Sequence, residues 1–320
     1  MNKRERVVAA IRGQKTECIP TCFSLHFREE QKFGEEAVKA HLDFFEKTDT
    51  DVIKIMNENQ VPNMGDIRCA EEFAKYRKMD VSESFIQDQL KMTRTILKYA
   101  DPEAFSVGTL HGIVASMIHP LEKAGRTSIE SRFFLRDSLR QNEQPVLEAM
   151  RRVSDIMCDL AREYIHCGLD GVYYAALGGE RRIFTDEEFE RWIKPFDLKI
   201  MKAVKDVGGY CILHICKDEV NMERFQPHME YTDIVNWGVY EAPYSLQDGK
   251  KLFSGKTIMG GLANRSGVMV EGTIEELQNE VKKIVTEFGR EGFIMGADCT
   301  LPTDIDAERV RAIVDVCREI

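Results

Sequence analysis

The chain has 320 residues, 43% of them hydrophobic and 31% charged, with a formal net charge of −10. That length and composition fit one large α/β domain with a sizeable core. The acidic balance argues against nucleic acid or an anionic membrane as the main partner, and no apolar run reaches the length of a membrane span.

Nine cysteines are present, an odd count without the spacing of a disulfide framework, so most are expected to be reduced. Cys158, Cys167 and Cys317 fall in helical patterns and read as small core residues. Arg12 interrupts the apolar stretch behind the charged N-terminus, so no signal peptide is read and a cytoplasmic location is expected. No internal repeat, low-complexity segment or second domain stands out.

In chain order, Arg4 to Arg12 reads as a short amphipathic helix ending at Gly13. Residues 18–25 form a candidate first strand, 35–47 a helix and 51–56 a second strand. Residues 57–82 are irregular, with Pro62 and Gly65, and are expected to form an inserted loop or lid. A helix over 85–100 stops at Asp101-Pro102, and 104–109 is the third strand. From Pro120 to about Gly168 the pattern is helical, with at least two helices. The fourth strand is 170–175, followed by the Gly178-Gly179 turn and a helix over 185–207. Strands five to seven follow at 209–215, 233–237 and 256–260. Thr273 and Glu276 have capping-box spacing at the start of a helix that Gly289 closes, the eighth strand is 292–297, and the last helix is 307–319.

Eight strands alternating with helices predict an α/β fold of the (β/α)8 barrel type, one domain over 1–320 with an N-terminal helix. An open doubly wound sheet is the alternative, weakened because neither a Gly-x-Gly-x-x-Gly nor a Walker lysine motif follows an early strand. In a barrel the active site lies at the C-terminal ends of the strands.

There the sequence places its strongest chemical signal. Leu213-His214-Ile215-Cys216 ends the fifth strand, and residues two apart on extended chain point to the same side. Asp298-Cys299 ends the eighth. His214, Cys216 and Cys299 therefore share one rim, and an imidazole with two thiolates makes a three-ligand zinc site with a fourth position open. Asp218 and Asp298 flank these residues and can tune the site or remain solvated loop charges. His26, Asn57, Glu58, His111, Tyr174, Glu180 and Asn236 lie at or just beyond other strand ends and are candidate substrate contacts. Tyr173 and Tyr174 alternate, so only one can face the barrel interior.

The opening segment from Arg4 through Gly13 with Ile19-Pro20, the Gly168-Leu169-Asp170-Gly171-Val172 stretch and the Gly260-Gly261-Leu262 turn resemble the uroporphyrinogen decarboxylase superfamily over essentially the whole chain. Its decarboxylase branch uses an N-terminal Arg-Gln-Ala-Gly-Arg segment and an Asp in a Phe-Asp-Ser-Trp-Ala-Gly segment. Here the corresponding stretches read Phe23-Ser24-Leu25-His26-Phe27-Arg28 and Tyr173-Tyr174-Ala175-Ala176-Leu177-Gly178-Gly179, without the Asp. The other branch, zinc-dependent corrinoid methyltransferases that include enzymes methylating coenzyme M, carries His-x-Cys and a distant Cys, which His214, Cys216 and Cys299 match.

That resemblance implies a zinc-dependent methyltransferase in the methyl metabolism of an anaerobe. It would work between a corrinoid and a thiol or methylated small molecule. No Asp-x-His-x-x-Gly motif is present, so the corrinoid (cobalamin) is expected on a separate carrier protein. A decarboxylase-type lyase and a non-catalytic family member are the alternatives. The direction of transfer, the small molecule and any homo-oligomer stay open at this point.

Overall fold

The computed structural model describes the whole chain, Met1–Ile320. Helix α1 (Lys3–Ile11) opens the chain, followed by β1 (Thr21–Cys22), α2 (Gly34–Thr48) and β2 (Val52–Ile55). Next come α3 (Ser84–Tyr99), β3 (Phe105–His111), α4 (Ile113–Lys123), α5 (Ser128–Gln141), α6 (Glu143–His166) and β4 (Gly171–Ala176). The second half begins with α7 (Asp186–Glu188), a π-helical turn (Phe189–Ile193), α8 (Lys194–Asp206), β5 (Tyr210–Ile215) and β6 (Ile234–Trp237). It ends with α9 (Leu246–Leu252), β7 (Thr257–Leu262), α10 (Ile274–Phe288), β8 (Phe293–Ala297) and α11 (Ala307–Glu319).

All eight strands are parallel and lie in the order β1-β8-β7-β6-β5-β4-β3-β2, a nearly closed (β/α)8 barrel. The seam between β1 and β2 lacks a backbone ladder, and a side chain bridges it. The buried Asp51 carboxylate accepts from the Thr21 amide at 2.9 Å and the Thr21 hydroxyl at 2.8 Å, and it pairs with Arg6 of α1. This explains why β1 spans only Thr21–Cys22 where the alternation suggests a strand over 18–25.

Side chains alternate between two apolar layers, as strand geometry requires. The outward faces join the helices in one cluster of 79 buried residues. The inward faces form a smaller cluster with Cys22, Val52, Phe105, Val107, Tyr173, Ile212, Ile234, Met259 and Ile294. Val7 and Ala10 of α1 complete that inner cluster, so the N-terminal helix plugs the lower end of the barrel and leaves the other end for chemistry. No helix is long and apolar enough to cross a membrane.

Other stretches also differ in detail from the sequence expectation, two of them near the site's side of the barrel or its outer helices. Strand β3 runs on to His111, and α4 begins at Ile113 and carries Pro120 inside it. The apolar run from Leu110 to His119 has no period that separates strand from helix, which is why the boundary was illegible. Residues 57–82 contain a 3-10 turn, Ala70–Lys75, whose Phe73 is fully buried. Phe73 stacks on Tyr76 and on Phe134 of α5, and Tyr76 donates to the Met117 carbonyl of α4 at 2.7 Å. This stretch is fastened to the outer helices.

Candidate metal centre

Strand β5 carries His214 on its inward face, and Cys216, two residues on, faces the same way. The Cys216 amide still bonds to the Ala176 carbonyl at 3.1 Å, and the chain then turns sharply. Lys217 has φ 86° and Glu219 φ 51°, left-handed values that cost a non-glycine residue energy and that recur at functional sites. Arg182 holds this turn by bonding both Asp218 oxygens, at 2.8 and 2.9 Å, and Glu219 at 3.0 Å. Cys299 comes from just past β8, where the Asp298 amide bonds to the Leu262 carbonyl at 2.8 Å. The donor atoms of His214, Cys216 and Cys299 all lie within 4.8 Å of one another.

The hydrogen-bond network fixes how the imidazole is presented. Asn236 Nδ2 donates to the Met259 and Ala297 carbonyls at 3.0 and 3.1 Å, so its Oδ1 is the end that faces His214. That oxygen lies 2.6 Å from His214 Nδ1 and also accepts from the Tyr173 hydroxyl at 2.8 Å. Nδ1 therefore carries the proton, and Nε2 is left with a lone pair. Nε2 is buried and has no hydrogen-bond partner. A buried lone pair beside two sulfurs is costly by itself and is what a metal ion would satisfy. The residues present fit a metal.

The two thiols act on each other. A hydrogen bond from Cys216 draws the Cys299 thiol well below the usual range despite its burial. The same bond, together with burial, pushes Cys216 well above it. Cys299 therefore loses its proton readily while Cys216 holds its own, and a bound cation would displace the proton that remains. Burial raises Asp298 to about 6; its Oδ2 accepts from the Tyr240 amide at 3.0 Å, and its Oδ1 is unpartnered.

The three donors line a cleft of about 580 Å³, shared with His26, Asp218, Asn264, Arg265, Asp298 and Thr300 among others. A cavity of about 630 Å³ between α2 and α3 shares no residue with it. His26 Nδ1 lies 2.5 Å from Glu58 Oε1, and His111, pushed down to about 4 by burial, packs edge-on against His119 at 4.6 Å. Asn57 is buried with its Oδ1 unpartnered.

Two expected contacts are corrected by the geometry. Tyr174 faces outward, where its hydroxyl donates to Asp197 of α8, because inward positions on β4 are the odd-numbered ones; Tyr173 is the tyrosine inside. Glu180 has no exposed surface and is paired with buried Arg132 at 2.8 Å, so its carboxylate is not open to a substrate. The sequence reading also passed over Lys54, which lies inside the barrel with its Nζ 3.2 Å from Ser24 Oγ and 3.6 Å above the Tyr173 ring. The signal was there: a lysine two residues from Val52, and so on the same face, of a strand read as buried.

The family model for uroporphyrinogen decarboxylase (URO-D) matches residues 52–320. The chain belongs to this family. Among solved structures, a methyltransferase from Methanosarcina mazei superposes on this URO-D family member with a TM-score of 0.74 at 15% identity, covering 100% of this chain and 99% of that one. A B12-independent methionine synthase from a Shewanella species, in complex with selenomethionine, gives a TM-score of 0.60 at 10% identity and covers 94% and 97%. A putative vitamin-B12-independent methionine synthase from Listeria monocytogenes gives 0.52 at 9% identity, over 88% and 85%. At these identities the likeness is one of fold. No curated protein sequence matches the chain.

Proposed function

We propose that this URO-D family member is a zinc-dependent methyltransferase. It moves a methyl group between a corrinoid, carried by a separate protein, and a thiol or methylated small molecule. The observation that carries this reading is the unpartnered Nε2 of His214, aimed at Cys216 and Cys299 inside the cleft. Imidazole and thiolate donors suit zinc, and three protein donors leave the fourth position that a catalytic zinc needs. When bound there, zinc supplies a low-pKa thiolate or draws charge from the heteroatom of a methyl donor.

The rest of the work falls to the chain's own residues. His214 would bind through Nε2, with Asn236 fixing its tautomer and ring plane. Cys216 and Cys299 would bind as thiolates, with loss of the proton that Cys216 holds. The cleft of about 580 Å³ has the size of a small-molecule pocket, so the corrinoid would be presented at its opening by the carrier. The methyltransferase and methionine synthase neighbours support methyl transfer as the reaction class.

The test is a metal assay followed by a methyl-transfer assay. Purified protein is expected to hold about one zinc per chain, lost in His214→Ala and Cys299→Ala. It is expected to demethylate methylcobalamin in the presence of some member of a panel of thiols, or to methylate reduced cobalamin from a methyl ether or thioether. Full turnover by metal-free protein would overturn the proposal.

A further inference from the structure

Lys54 is a charge inside the barrel with nothing beside it to balance it. Its side chain projects inward from β2, and the residue is 3% exposed. Its polar contacts are one neutral hydroxyl, Ser24 Oγ, and the face of the Tyr173 ring. No carboxylate forms an ion pair with it; Glu58, the acid closest to it electrostatically, is engaged by His26. A buried ammonium without a counter-ion is expensive, so an anion arriving nearby in the working state would stabilise its charged form.

Lys54 Nζ lies 3.6 Å above the Tyr173 ring, and that ring's centroid is 5.2 Å from the His214 imidazole, so the ammonium sits one aromatic ring away from the metal donors. Burial lowers the Lys54 pKa, and the groups that oppose this are led by Cys299, then Cys22 and Cys216. Cys22 is fully buried and pushed up to about 12, so it stays a neutral thiol. Asp298 is not among these groups, and its carboxylate turns toward the Tyr240 amide. That leaves Cys216 and Cys299. Two thiolates cancel one divalent ion, and the sum over ion, thiolates and Lys54 is then one positive charge. A neutral ether or thioether in the fourth position leaves that charge in place. A thiolate in the fourth position removes it.

We infer that Lys54 is the counter-charge for an anionic sulfur ligand at this site, and so selects a thiolate over a neutral methyl donor as the small-molecule partner. The inference rests on the zinc reading above and sharpens it: the thiol gives its S–H proton to solvent on binding, and the sulfur then accepts the methyl group. The methyl donor would be the methylated corrinoid of the carrier: the S–C bond would form as the cobalt–carbon bond breaks, the electron pair staying with cobalt, which leaves as cobalt(I), so no other oxidant or reductant is needed. Lys54 acts at a distance as a positioning charge and need not touch the ligand.

The test uses the full chain loaded with cobalt(II), whose sulfur-to-metal absorption reports each thiolate bound. Adding 2-mercaptoethanol to the wild type is expected to intensify that absorption and saturate. Lys54→Met, which keeps the length and removes the charge, is expected to need at least tenfold more thiol for half-saturation. Binding of imidazole, a neutral ligand, is expected to stay within twofold of the wild type, and Lys54→Arg is expected to recover most of the thiol affinity. Equal thiol affinity in Lys54→Met and wild type overturns the inference and leaves the metal site standing. Equal losses for thiol and imidazole also overturn it, because they indicate a distorted site. A wild type that takes up no cobalt overturns both readings. If Lys54→Met does not fold, Lys54→Gln is read by the same criteria.

Discussion

Asn236 reads the tautomer of His214. Its amide is locked by two main-chain carbonyls, so the only atom it can offer the imidazole is an acceptor, and the ring must place its proton on Nδ1. Removing that acceptor frees the ring to rotate and to protonate either nitrogen. Asn236→Ala is therefore expected to weaken metal binding about 10- to 100-fold, the usual effect of losing a ligand's hydrogen-bond partner. Competition against a chromophoric chelator measures this directly. An unchanged affinity would show that barrel packing alone orients His214.

The site was legible in the sequence to the extent that strand parity and strand ends were legible. His214 and Cys216 needed only the two-residue alternation, and Cys299 needed only an eighth strand ending near Ala297. The capping box of Thr273 and Glu276 appears as read, because capping is a local signal. What failed was information that depends on packing across the barrel. Choosing Tyr174 over Tyr173 required knowing which face of β4 turns inward, and both residues are aromatic and buried, so hydropathy could not decide. Glu180 looked like a rim carboxylate until Arg132, 48 residues away on α5, was seen to claim it. Lys54 was legible as a residue of a buried strand, but its inward placement depended, like that of Tyr173, on which strand face packing turns inward.

The opposite shifts of Cys216 and Cys299 set how the metal-free protein should react. Cys299 is drawn down by the Cys216 hydrogen bond, so it carries the thiolate and should be alkylated first by iodoacetamide at neutral pH. Cys216 is held up and should lag behind. Adding zinc should protect both. Mass spectrometry of peptides after a short pulse distinguishes the two sites. Faster labelling of Cys216, or labelling of both that zinc does not slow, would contradict the arrangement.

Residues 57–82 behave in the structure as a wall, with Phe73 wedged between Tyr76 and Phe134. Truncating a buried phenylalanine typically costs about 3–5 kcal/mol, and Phe73 is fully buried. Phe73→Ala is expected to lower the urea midpoint accordingly while leaving the metal stoichiometry unchanged, because the thiol cleft shares no residue with this stretch. Backbone amides over 70–76 should also exchange slowly with solvent in the wild type. Rapid exchange there, with little loss of stability in the variant, would describe a mobile cover.

Asp49 ties together three elements distant in sequence. It lies just past α2 with φ 57°, and its carboxylate meets Lys3 of α1 at 2.5 Å and Arg311 and Arg318 of α11 at 3.2 and 2.7 Å. Burial alone would raise its pKa, but the hydrogen bonds from Arg318 and Lys3 outweigh it and hold the group down at about 2. The unfolded value is about 3.9, so the folded state binds this proton less readily. The sign follows: the contribution is complete above about pH 5, shrinks as the pH falls through 4, and vanishes below about 2. Asn at this position tolerates the left-handed backbone and keeps the size, so Asp49→Asn isolates the charge. With the carboxylate partly open to solvent, the variant is expected to be about 1 kcal/mol less stable at pH 7. The gap should fall to roughly half near pH 3, where the folded carboxylate is still mostly ionised and the unfolded one mostly protonated. Urea denaturation of both proteins across that range measures the gap. A difference that stays constant from pH 7 to pH 3 would assign the effect to something other than this carboxylate's charge.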